Sequence, residues 1–532
     1  MSHPARDEGS RPARAGEAAS FSCAPTGSLQ AGPGSSRSAP EARPRQLQSI
    51  AGRASLRLLC VDFGTSSIKA GVVGGDGQLL GWAHESLLDD PRADLVRWEP
   101  GLWISHLKVA IEKLQAAGAV GPGDGGDLAA VIVSGNGPTI VPVGATGEAL
   151  SEAFLWIDRR ELRPIHGTSF YLPKVEWIRR HRPDLYERTA SFLPFPEYLN
   201  FLLTGEKVAI VPSEEFVPYV WSEQEIAASR FDRGKFPPFV RIGERIGKVT
   251  ARGAAASGLP KGLPVVAGGS DFLMALVGTA AVVPGRTCDR AGTSEGINHC
   301  SARLVRSDRV RCLPHAIPGL YNAAGILAST GRIFEWFRAI SGQREKPYQT
   351  MLEEILAVDH NARIPFFFPS LRIGETWEFS DAVFSQLEPE HGPAEMGRAV
   401  VQSIGFAVRD LIETLEHHSC RIEQLRACGG QARNPLWNQM KADITGKEIA
   451  TPEIIDAELL GDACAGLVGL GDRSSLAEAA EGLVRIKTIY LPRREEHERF
   501  GEAYERYRDL RRRVLRAVAS VVDAQTAGGL VE

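Results

Sequence analysis

The tripeptide Gly-Thr-Ser occurs twice in this chain, within residues 62–67 and again within residues 289–296, each time between two segments with the pattern of β-strands. A glycine at the tip of a hairpin lets the backbone approach an anion, and the amides and hydroxyls beside it can donate to phosphate oxygens. Either copy alone is equally consistent with an ordinary polar turn. The repetition predicts two similar halves, each presenting one phosphate-binding hairpin.

The segments around the first copy indicate a definite order of elements, with a similar order around the second. For the first half we predict strands over 58–61, 69–73 and 78–83, a helix over 100–117 and a strand over 129–133. Later in the chain we predict a strand over 264–269 that runs into a loop, then a hairpin over 287–300 and a long amphipathic helix over 395–417. Strand meander, helix and strand is the order of a ribonuclease-H-like domain. The sequence therefore predicts an α/β protein with two ribonuclease-H-like domains of the actin-like ATPase superfamily flanking a cleft.

Length and local composition suggest how the chain divides. A chain of 532 residues is too long for one compact core, which favours two large domains. The start of the chain is rich in Ala, Arg, Ser, Pro and Gly, so we expect a disordered tail; a transit peptide fits less well because acidic residues such as Asp7 interrupt it. The predicted divisions are a tail over 1–54, an N-terminal domain over 55–284, a C-terminal domain over 285–517 and a flexible tail over 518–532.

Overall composition excludes several classes of partner. A net charge of −4 gives no electrostatic reason to expect nucleic acid or an anionic membrane as partner, and no apolar run is long enough to span a bilayer. The eight cysteines are scattered without Cys-x-x-Cys pairs or Cys/His clusters, so buried thiols fit better than a zinc site. These features favour a protein of the reducing cytoplasm.

Two further glycine pairs lie at the ends of predicted strands, where catalytic or ligand-binding residues are often found. Asp271 follows one pair at the mouth of a strand, where a carboxylate could accept the proton of an alcohol during phosphoryl transfer. The same residue could equally be the N-cap of a helix over 272–279. Gly429 and Gly430 precede a predicted helix over 436–445, which would let a phosphate or ribose rest on backbone amides, although such pairs are also common in ordinary turns.

In chain order, the motifs Asp-x-Gly-Thr-Ser, Gly-Gly-x-Asp, Gly-Thr-Ser and Gly-Gly-x-x-x-Asn resemble those of the FGGY carbohydrate kinases, over about residues 56–515. Residues 169–181 are similar to the N-terminal signature of that family, with Tyr171 in place of the usual small residue. Residues 382–402 resemble the C-terminal signature, with Gln386 where glycine is usual.

The resemblance implies a cleft that binds ATP, with Mg²⁺, and a small sugar or polyol. It implies that Asp271 is the general base for the sugar hydroxyl and that Asp62 and Asp271 help to hold the metal ion. The residues expected to meet the nucleotide are Gly64, Thr65, Ser66, Gly292, Thr293, Gly429, Gly430, Gln431 and Asn434.

Within the family, residues 96–100 resemble the tryptophan-containing segment of xylulokinases, and residues 154–160 and 195–206 resemble two further conserved patterns of the family. The resemblance to xylulokinases implies phosphorylation of D-xylulose to D-xylulose 5-phosphate. The segment 135–139 departs from that pattern, since it reads Gly-Asn-Gly-Pro-Thr where xylulokinases usually have Gly-Gln-Met-His-Gly. Ribulose, erythritol, glycerol and related acceptors therefore stay open. The candidate sugar contacts are Trp98, Asn136, Thr139, Asp158, Arg159 and Asp271, although core packing explains Trp98 equally well.

Two other classes of function compete with a sugar kinase. A non-catalytic relative that only binds sugar or nucleotide is disfavoured because Asp62 and Asp271 are intact. A chaperone-type ATPase is disfavoured by the two signature stretches. Assembly into a homodimer stays open.

Overall fold

A computed structural model of the chain describes residues 56–65, 67–87, 98–121, 127–156, 158, 160, 162–163, 165, 167–359, 363–370 and 379–528. These residues all belong to one compact unit. The tail expected over 1–54 and two of the predicted contacts, Ser66 and Arg159, lie outside the described residues.

Strands and helices alternate along the described chain, as expected for an α/β protein. The strands are β1 (Arg57–Phe63), β2 (Ser67–Gly74), β3 (Leu79–Ser86), β4 (Leu128–Gly135), β5 (Ile140–Val143), β6 (Ser191–Pro194), β7 (Ala209–Val211), β8 (Phe239–Arg241), β9 (Arg245–Lys248), β10 (Pro264–Ser270), β11 (Thr287–Ala291), β12 (Glu295–Ser301), β13 (Arg311–Pro314), β14 (Tyr321–Leu327), β15 (Phe366–Phe368), β16 (Val383–Ser385), β17 (Gln424–Cys428), β18 (Glu448–Pro452) and β19 (Ile486–Tyr490).

The α-helices are α1 (Pro100–Ala116), α2 (Leu172–His181), α3 (Pro183–Arg188), α4 (Phe195–Thr204), α5 (Val217–Val220), α6 (Glu223–Ala228), α7 (Ala251–Ser257), α8 (Asp271–Gly278), α9 (Thr330–Ile340), α10 (Tyr348–Leu356), α11 (Pro393–His417), α12 (Pro435–Thr445), α13 (Ala457–Leu470), α14 (Leu476–Leu483) and α15 (Arg494–Gly528). Short 3₁₀ turns occupy Glu214–Phe216, Arg233–Lys235 and Gly430–Arg433.

Six strands form the first sheet, in the order β3-β2-β1-β4-β10-β9. β1 pairs antiparallel with β2 and parallel with β4, and β4 pairs parallel with β10. Parallel strands are usually covered on both faces, which explains why residues 58–61 and 129–133 are unbroken apolar runs.

The second sheet repeats this topology. Its strands β14-β12-β11-β17-β18 correspond one by one to β3-β2-β1-β4-β10, with the same mixture of antiparallel and parallel pairs. An antiparallel strand then follows at the same edge of each sheet, β9 beside β10 and β19 beside β18. The predicted fold class, two ribonuclease-H-like halves, is therefore confirmed.

Alternate side chains of β1 enter two different cores, because successive residues of a strand point to opposite faces. Leu59 and Val61 pack in a cluster with the apolar faces of α1 and α4, where Trp103 is fully buried. Leu58 and Cys60 pack in a second cluster with residues of α8 and α13. Because α13 lies in sequence between β18 and β19 of the second sheet but covers the first, the proposed division at residue 284 remains a prediction.

The long helix α11 packs on two sides. It begins at Pro393, where the Gly392 amide donates to the Glu395 carboxylate (2.9 Å). Val408 lies in an apolar cluster with residues of β12 and β14, whereas Val400 lies in another with α9, α10, α12 and α15. A predicted amphipathic helix over 395–417 is thus confirmed to within two residues at its start.

The helix α15 continues to Gly528, into the segment 518–532 for which a flexible tail is predicted, and that tail stays a prediction. Alanine, the residue with the highest helix propensity, recurs at 517, 519 and 524 and accounts for the continuation. The seven cysteines in the described ranges are free thiols, and six of them are buried. None of the helices in these ranges has the length and apolarity needed to cross a membrane.

Candidate active site

The two Gly-Thr-Ser hairpins have matching turns. The Gly64 amide donates to the Ser67 carbonyl (2.9 Å), and the Gly292 amide donates to the Ser294 carbonyl (2.8 Å). Each turn ends a central strand of its own sheet, β1 or β11. The hairpins are therefore formed as predicted, with Thr65 and Thr293 at their tips.

Backbone segments approach the second hairpin closely enough to require glycine. A Cβ on Gly331 would lie 2.3 Å from the Gly292 carbonyl oxygen, and one on Gly429 would lie 2.4 Å from the Ala291 carbonyl oxygen. Gly429 also has a φ of +85°, a conformation that favours glycine. A Cβ on Gly430 would meet no heavy atom within 4 Å, so its backbone faces open space as expected for a nucleotide contact.

The nucleotide residues predicted beyond the glycine pair have partners within the protein. Gln431 donates to the Thr330 hydroxyl (3.2 Å). Asn434 is the N-cap of α12, because its side-chain oxygen accepts from the Trp437 amide (3.0 Å). Asn434 therefore has a structural role in ending the glycine loop, and its contact with ATP stays a prediction.

Asp62 is the last polar side chain of β1 and is 2% exposed. Its Oδ2 lies 3.6 Å from Lys69 Nζ, but Oδ1 is buried without a hydrogen-bond partner among the described residues. Burial, together with the nearby charge of Glu458, raises the pKa of Asp62 to about 7. A buried carboxylate oxygen without a donor is suited to a cation or to a water bound to one.

Asp271 is the first residue of α8, so it is not the N-cap; Ser270 holds that position. Oδ1 of Asp271 accepts from the Phe272 amide (2.7 Å), and Oδ2 accepts from the Arg290 guanidinium (2.9 Å). Burial raises the pKa of Asp271, and Arg290 opposes that increase. Arg290 therefore favours the ionised form of this carboxylate.

Three charged residues that sequence reasoning missed complete this cluster. Arg290 bridges Asp271 and Glu458, with its Nε 2.8 Å from Glu458 Oε1. Although burial acts against ionisation, Lys69 and Arg290 lower the pKa of Glu458 to about 2. Lys69 lies directly opposite Asp62 in the β1–β2 ladder, a pairing that hairpin register alone could have predicted.

The predicted sugar segment forms a compact turn around a cis Gly137–Pro138 bond. The Thr139 hydroxyl donates to Asn136 Oδ1 (2.8 Å) and accepts from the Trp156 amide (3.2 Å). Thr139 is buried and its hydroxyl is engaged in this turn, and its contact with the sugar stays a prediction. Trp156, in contrast, is 40% exposed and donates through its indole to Thr65 (2.9 Å), which joins the sugar segment to the first hairpin.

The remaining residues predicted to contact the sugar have different surroundings. Trp98 packs against Phe63 and Trp103 at centroid distances of 6.3 and 6.0 Å, which supports core packing. Asp158 pairs with Arg160 (3.1 Å). Lys174, which donates to the Pro138 carbonyl (2.8 Å), has its pKa lowered to about 8 by burial, with Asp158 opposing.

Two family models match this chain. The N-terminal domain of the FGGY family of carbohydrate kinases matches residues 161–278, and the C-terminal domain of the same family matches residues 290–470. Together they cover more than half of the chain.

Whole-chain comparisons agree. A xylulose kinase of Staphylococcus epidermidis is 24% identical over 498 residues, 87% of this chain and 98% of the relative. An autoinducer-2 kinase of Escherichia coli is 25% identical over 503 residues, 85% of this chain and 93% of the relative. The crystal structure of a ligand-bound xylulose kinase from Lactobacillus acidophilus superimposes with a TM-score of 0.72 at 18% identity, over 86% of this chain and 98% of that chain. The chain therefore belongs to the FGGY family of carbohydrate kinases and is itself a carbohydrate kinase.

Proposed function

We propose that this kinase transfers the γ-phosphoryl group of Mg²⁺-bound ATP to a hydroxyl of D-xylulose, giving D-xylulose 5-phosphate, with Asp271 as the general base. The observation that carries the proposal is the position of the Asp271 carboxylate. It lies in the first turn of α8, directly after β10 of the first sheet, and accepts a hydrogen bond from Arg290 of β11, the strand that leads into the second hairpin. One half-buried carboxylate thus links the first sheet to the second hairpin.

In the reaction, the sugar hydroxyl oxygen attacks the γ-phosphorus, the bond to the β-phosphate oxygen breaks, and ADP leaves. Asp271 accepts the hydroxyl proton as the new bond forms. Burial raises the pKa of this carboxyl, which makes it a stronger base, and Arg290 opposes the increase and favours the ionised form.

The nucleotide would rest between the hairpins. Because Gly64 and Gly292 use their amides within the turns, we expect the Thr65 and Thr293 backbones to meet the phosphates. Gly430 offers open backbone on the nucleotide side. Such a reaction depends mainly on positioning and on exclusion of water, which the two halves of the fold would provide by closing.

The residues present fit a magnesium ion, although no group of three or more His, Cys, Asp or Glu ligands is found in the described ranges. Mg²⁺ usually needs only one or two carboxylates beside phosphates and water. The unpartnered Asp62 Oδ1 fits this role, with Asp271 as the second carboxylate. When bound with ATP, the ion neutralises charge on the transferred phosphoryl group.

A second candidate is a kinase for another acceptor, such as ribulose, erythritol or glycerol. The altered segment around the cis Gly137–Pro138 bond favours it, because Tyr171 reaches toward this turn: its hydroxyl oxygen would lie 3.3 Å from a Cβ on Gly137. An aromatic side chain at a position that is usually small would reshape the sugar pocket. The similarity to an autoinducer-2 kinase also keeps acceptors other than xylulose open.

The deciding experiment is a coupled assay of ADP release against pentuloses, pentoses, tetritols, glycerol and hexuloses. D-xylulose should give the highest kcat/KM. In Asp271→Asn the kcat should fall about 10²–10⁴-fold, the usual contribution of a general base. The matched control is Asp184→Asn, since Asp184 also lies in the first turn of a helix but is exposed.

Each part of the proposal has an outcome that contradicts it. If another acceptor is turned over in place of D-xylulose and that turnover is lost in Asp271→Asn, D-xylulose is rejected as the substrate and Asp271 is retained as the general base. Full activity in Asp271→Asn would reject the base. ADP release that no acceptor stimulates would favour a relative that only binds sugar and nucleotide.

A further inference from the structure

A cavity of about 650 Å³ lies between the middle of α15, the start of α11 and the β15–β16 ribbon. None of its lining residues belongs to the strands and helices that carry Asp62 or Asp271. The cavity is therefore separate from the site proposed for ATP and sugar.

Positive charge dominates the lining, which contains five arginines against three carboxylates. Much of this charge is neutralised locally. Arg363 pairs with Glu388 (2.8 Å), and Arg513 pairs with Asp509 (2.7 Å). Arg398 and Arg506, in contrast, form no ion pair with any described residue.

Arg398 is the unusual member of the pair, because it is only 6% exposed. Its NH1 donates to the Leu356 carbonyl (3.2 Å), and its guanidinium carbon lies 5.7 Å from the centre of the Phe500 ring. Burial lowers the pKa of Arg398 to about 10, with Glu496 opposing the shift. Glu496 offsets only part of the cost of burying this guanidinium, because the pKa is still lowered, and a costly buried charge is expected only where it serves a purpose.

Apart from Gln386 and Gln402, the uncharged lining residues are apolar, and they include Phe366, Phe500 and Leu510. An inorganic ion would leave these surfaces uncovered. A ligand with both an anionic group and a short carbon body would use the guanidinium groups and the apolar wall together. Arginine is suited to phosphate because its planar fork can donate two parallel hydrogen bonds.

We propose that this cavity binds a phosphate ester of a small carbon compound, with the phosphate held by the Arg398 and Arg506 guanidinium groups. The buried Arg398 supplies a fixed, poorly hydrated donor at the inner end. Arg506, on exposed helix surface, completes the charge from α15. The site is an anion-binding site for a ligand that is neither the sugar nor the nucleotide of the proposed reaction.

The test is isothermal titration calorimetry on the full-length protein with three probes: 3-phosphoglycerate, inorganic phosphate and glycerate. We expect one saturable site for 3-phosphoglycerate with a Kd below about 1 mM. Inorganic phosphate should bind more weakly, because it lacks the carbon body, and glycerate should bind weakest. Equal affinity for inorganic phosphate would overturn the ester in favour of free phosphate.

Variants connect the binding to these residues. Arg398→Gln and Arg506→Gln should each weaken 3-phosphoglycerate about 10-fold or more, since each removes charge-assisted hydrogen bonds. Arg421→Gln is the control, because Arg421 is 86% exposed, pairs with Glu423 and does not line the cavity. No saturable binding, or binding that both lining variants leave unchanged, would overturn the proposal.

Thermal unfolding separates a binding role from a packing role for Arg398. If its charge serves an absent ligand, ligand-free Arg398→Gln should melt no lower than the wild type, while the increase in Tm caused by 3-phosphoglycerate should disappear. A lower Tm in Arg398→Gln, combined with an unchanged ligand-induced increase, would assign Arg398 to packing alone. If Arg398→Gln fails to fold, the exposed variant Arg506→Gln tests the proposal instead, through the loss of 3-phosphoglycerate binding.

Discussion

The two hairpins have the same type of turn but carry side chains of opposite charge at the equivalent position. Two residues before the glycine of each Gly-Thr-Ser stands Asp62 in the first hairpin and Arg290 in the second. Asp62 leaves one carboxylate oxygen without a partner, whereas Arg290 bridges Asp271 and Glu458. The repeated fold thus supplies two equivalent positions, and the chemistry is set by which side chain occupies each.

The hairpins also differ in what supports them. Behind the second hairpin, Lys441 Nζ lies 2.6 Å from Glu295 and pairs with Asp289, all three nearly inaccessible to solvent. Burial raises the pKa of Glu295 to about 8, with Lys441 opposing. In the first hairpin the lysine is Lys69, which lies on the hairpin strand β2 itself and is shared among carboxylates of the candidate active site. One buried charge cluster therefore supports structure, and the other serves the proposed reaction.

The largest effect is expected from breaking the structural cluster. Lys441→Met would leave two buried carboxylates without their cation and should lower the free energy of unfolding by about 3–5 kcal/mol. The control is Lys346→Met, which breaks a partly exposed pair with Glu354 and should cost only about 0–1 kcal/mol. Urea denaturation measures both.

Adding Glu295→Gln to Lys441→Met should recover part of the lost stability, because it removes one of the uncompensated carboxyl groups. Equal destabilisation by Lys441→Met and Lys346→Met would show that the buried cluster does not stabilise the second hairpin.

Removing the positive charge of Arg290 from the candidate active site should affect activity more than stability. In Arg290→Gln the pKa of Asp271 should rise, because burial would no longer be opposed by the guanidinium. A general base must be deprotonated, so the acid limb of the kcat profile should move to higher pH. At pH 7 we expect a loss of about 10²-fold or more, partly recovered as the pH is raised.

Arg286→Gln is the matched control, because Arg286 has similar exposure (30% against 28%) and an ion pair with Glu481 outside the cluster. A uniform loss of activity at every pH in Arg290→Gln would indicate that the arginine acts on the phosphoryl group and does not tune Asp271.

Asp62→Asn tests whether the first hairpin holds the metal ion. The Mg²⁺ concentration that gives half-maximal activity should increase about 10–100-fold, because one of few carboxylate contacts is lost. Asp462→Asn is the control: that side chain is also buried, accepts from Ser134 (2.9 Å), and burial raises its pKa well above the ordinary range. An unchanged Mg²⁺ requirement in Asp62→Asn would remove Asp62 from the metal site.

Sequence patterns predicted the parts of this molecule that depend on neighbouring residues. The repeated hairpins and the fold class follow from local alternation and from motif order. Arg290 was missed although it lies inside a quoted motif, because its role depends on Asp271 and Glu458, which belong to other strands and helices. Such contacts are set by how the two sheets pack, which local periodicity does not encode.

Two of the residues predicted to contact the sugar have partners within the protein that local periodicity also does not encode. Thr139 and Trp98 stand in a segment or motif that suggested sugar binding, yet the first is engaged in a turn and the second is packed among aromatic side chains. Residue type and position along the chain do not reveal which side of a turn faces the cleft. The buried Arg398 shows the converse, since nothing in its local sequence distinguishes it from a surface arginine of a helix.

The smallest effects are expected at the glycine pair, where two adjacent positions separate structure from binding. Gly429→Ala should destabilise the protein by about 1–3 kcal/mol, because a Cβ would lie 2.4 Å from the Ala291 carbonyl at a φ of +85°. Gly430→Ala should leave the stability within about 0.5 kcal/mol, since its surroundings are open, but should raise the KM for ATP several-fold by placing a methyl group in the nucleotide space. An unchanged KM in a stable Gly430→Ala protein would mean that the nucleotide does not rest on this loop, and only the hairpins would then remain as its expected contacts.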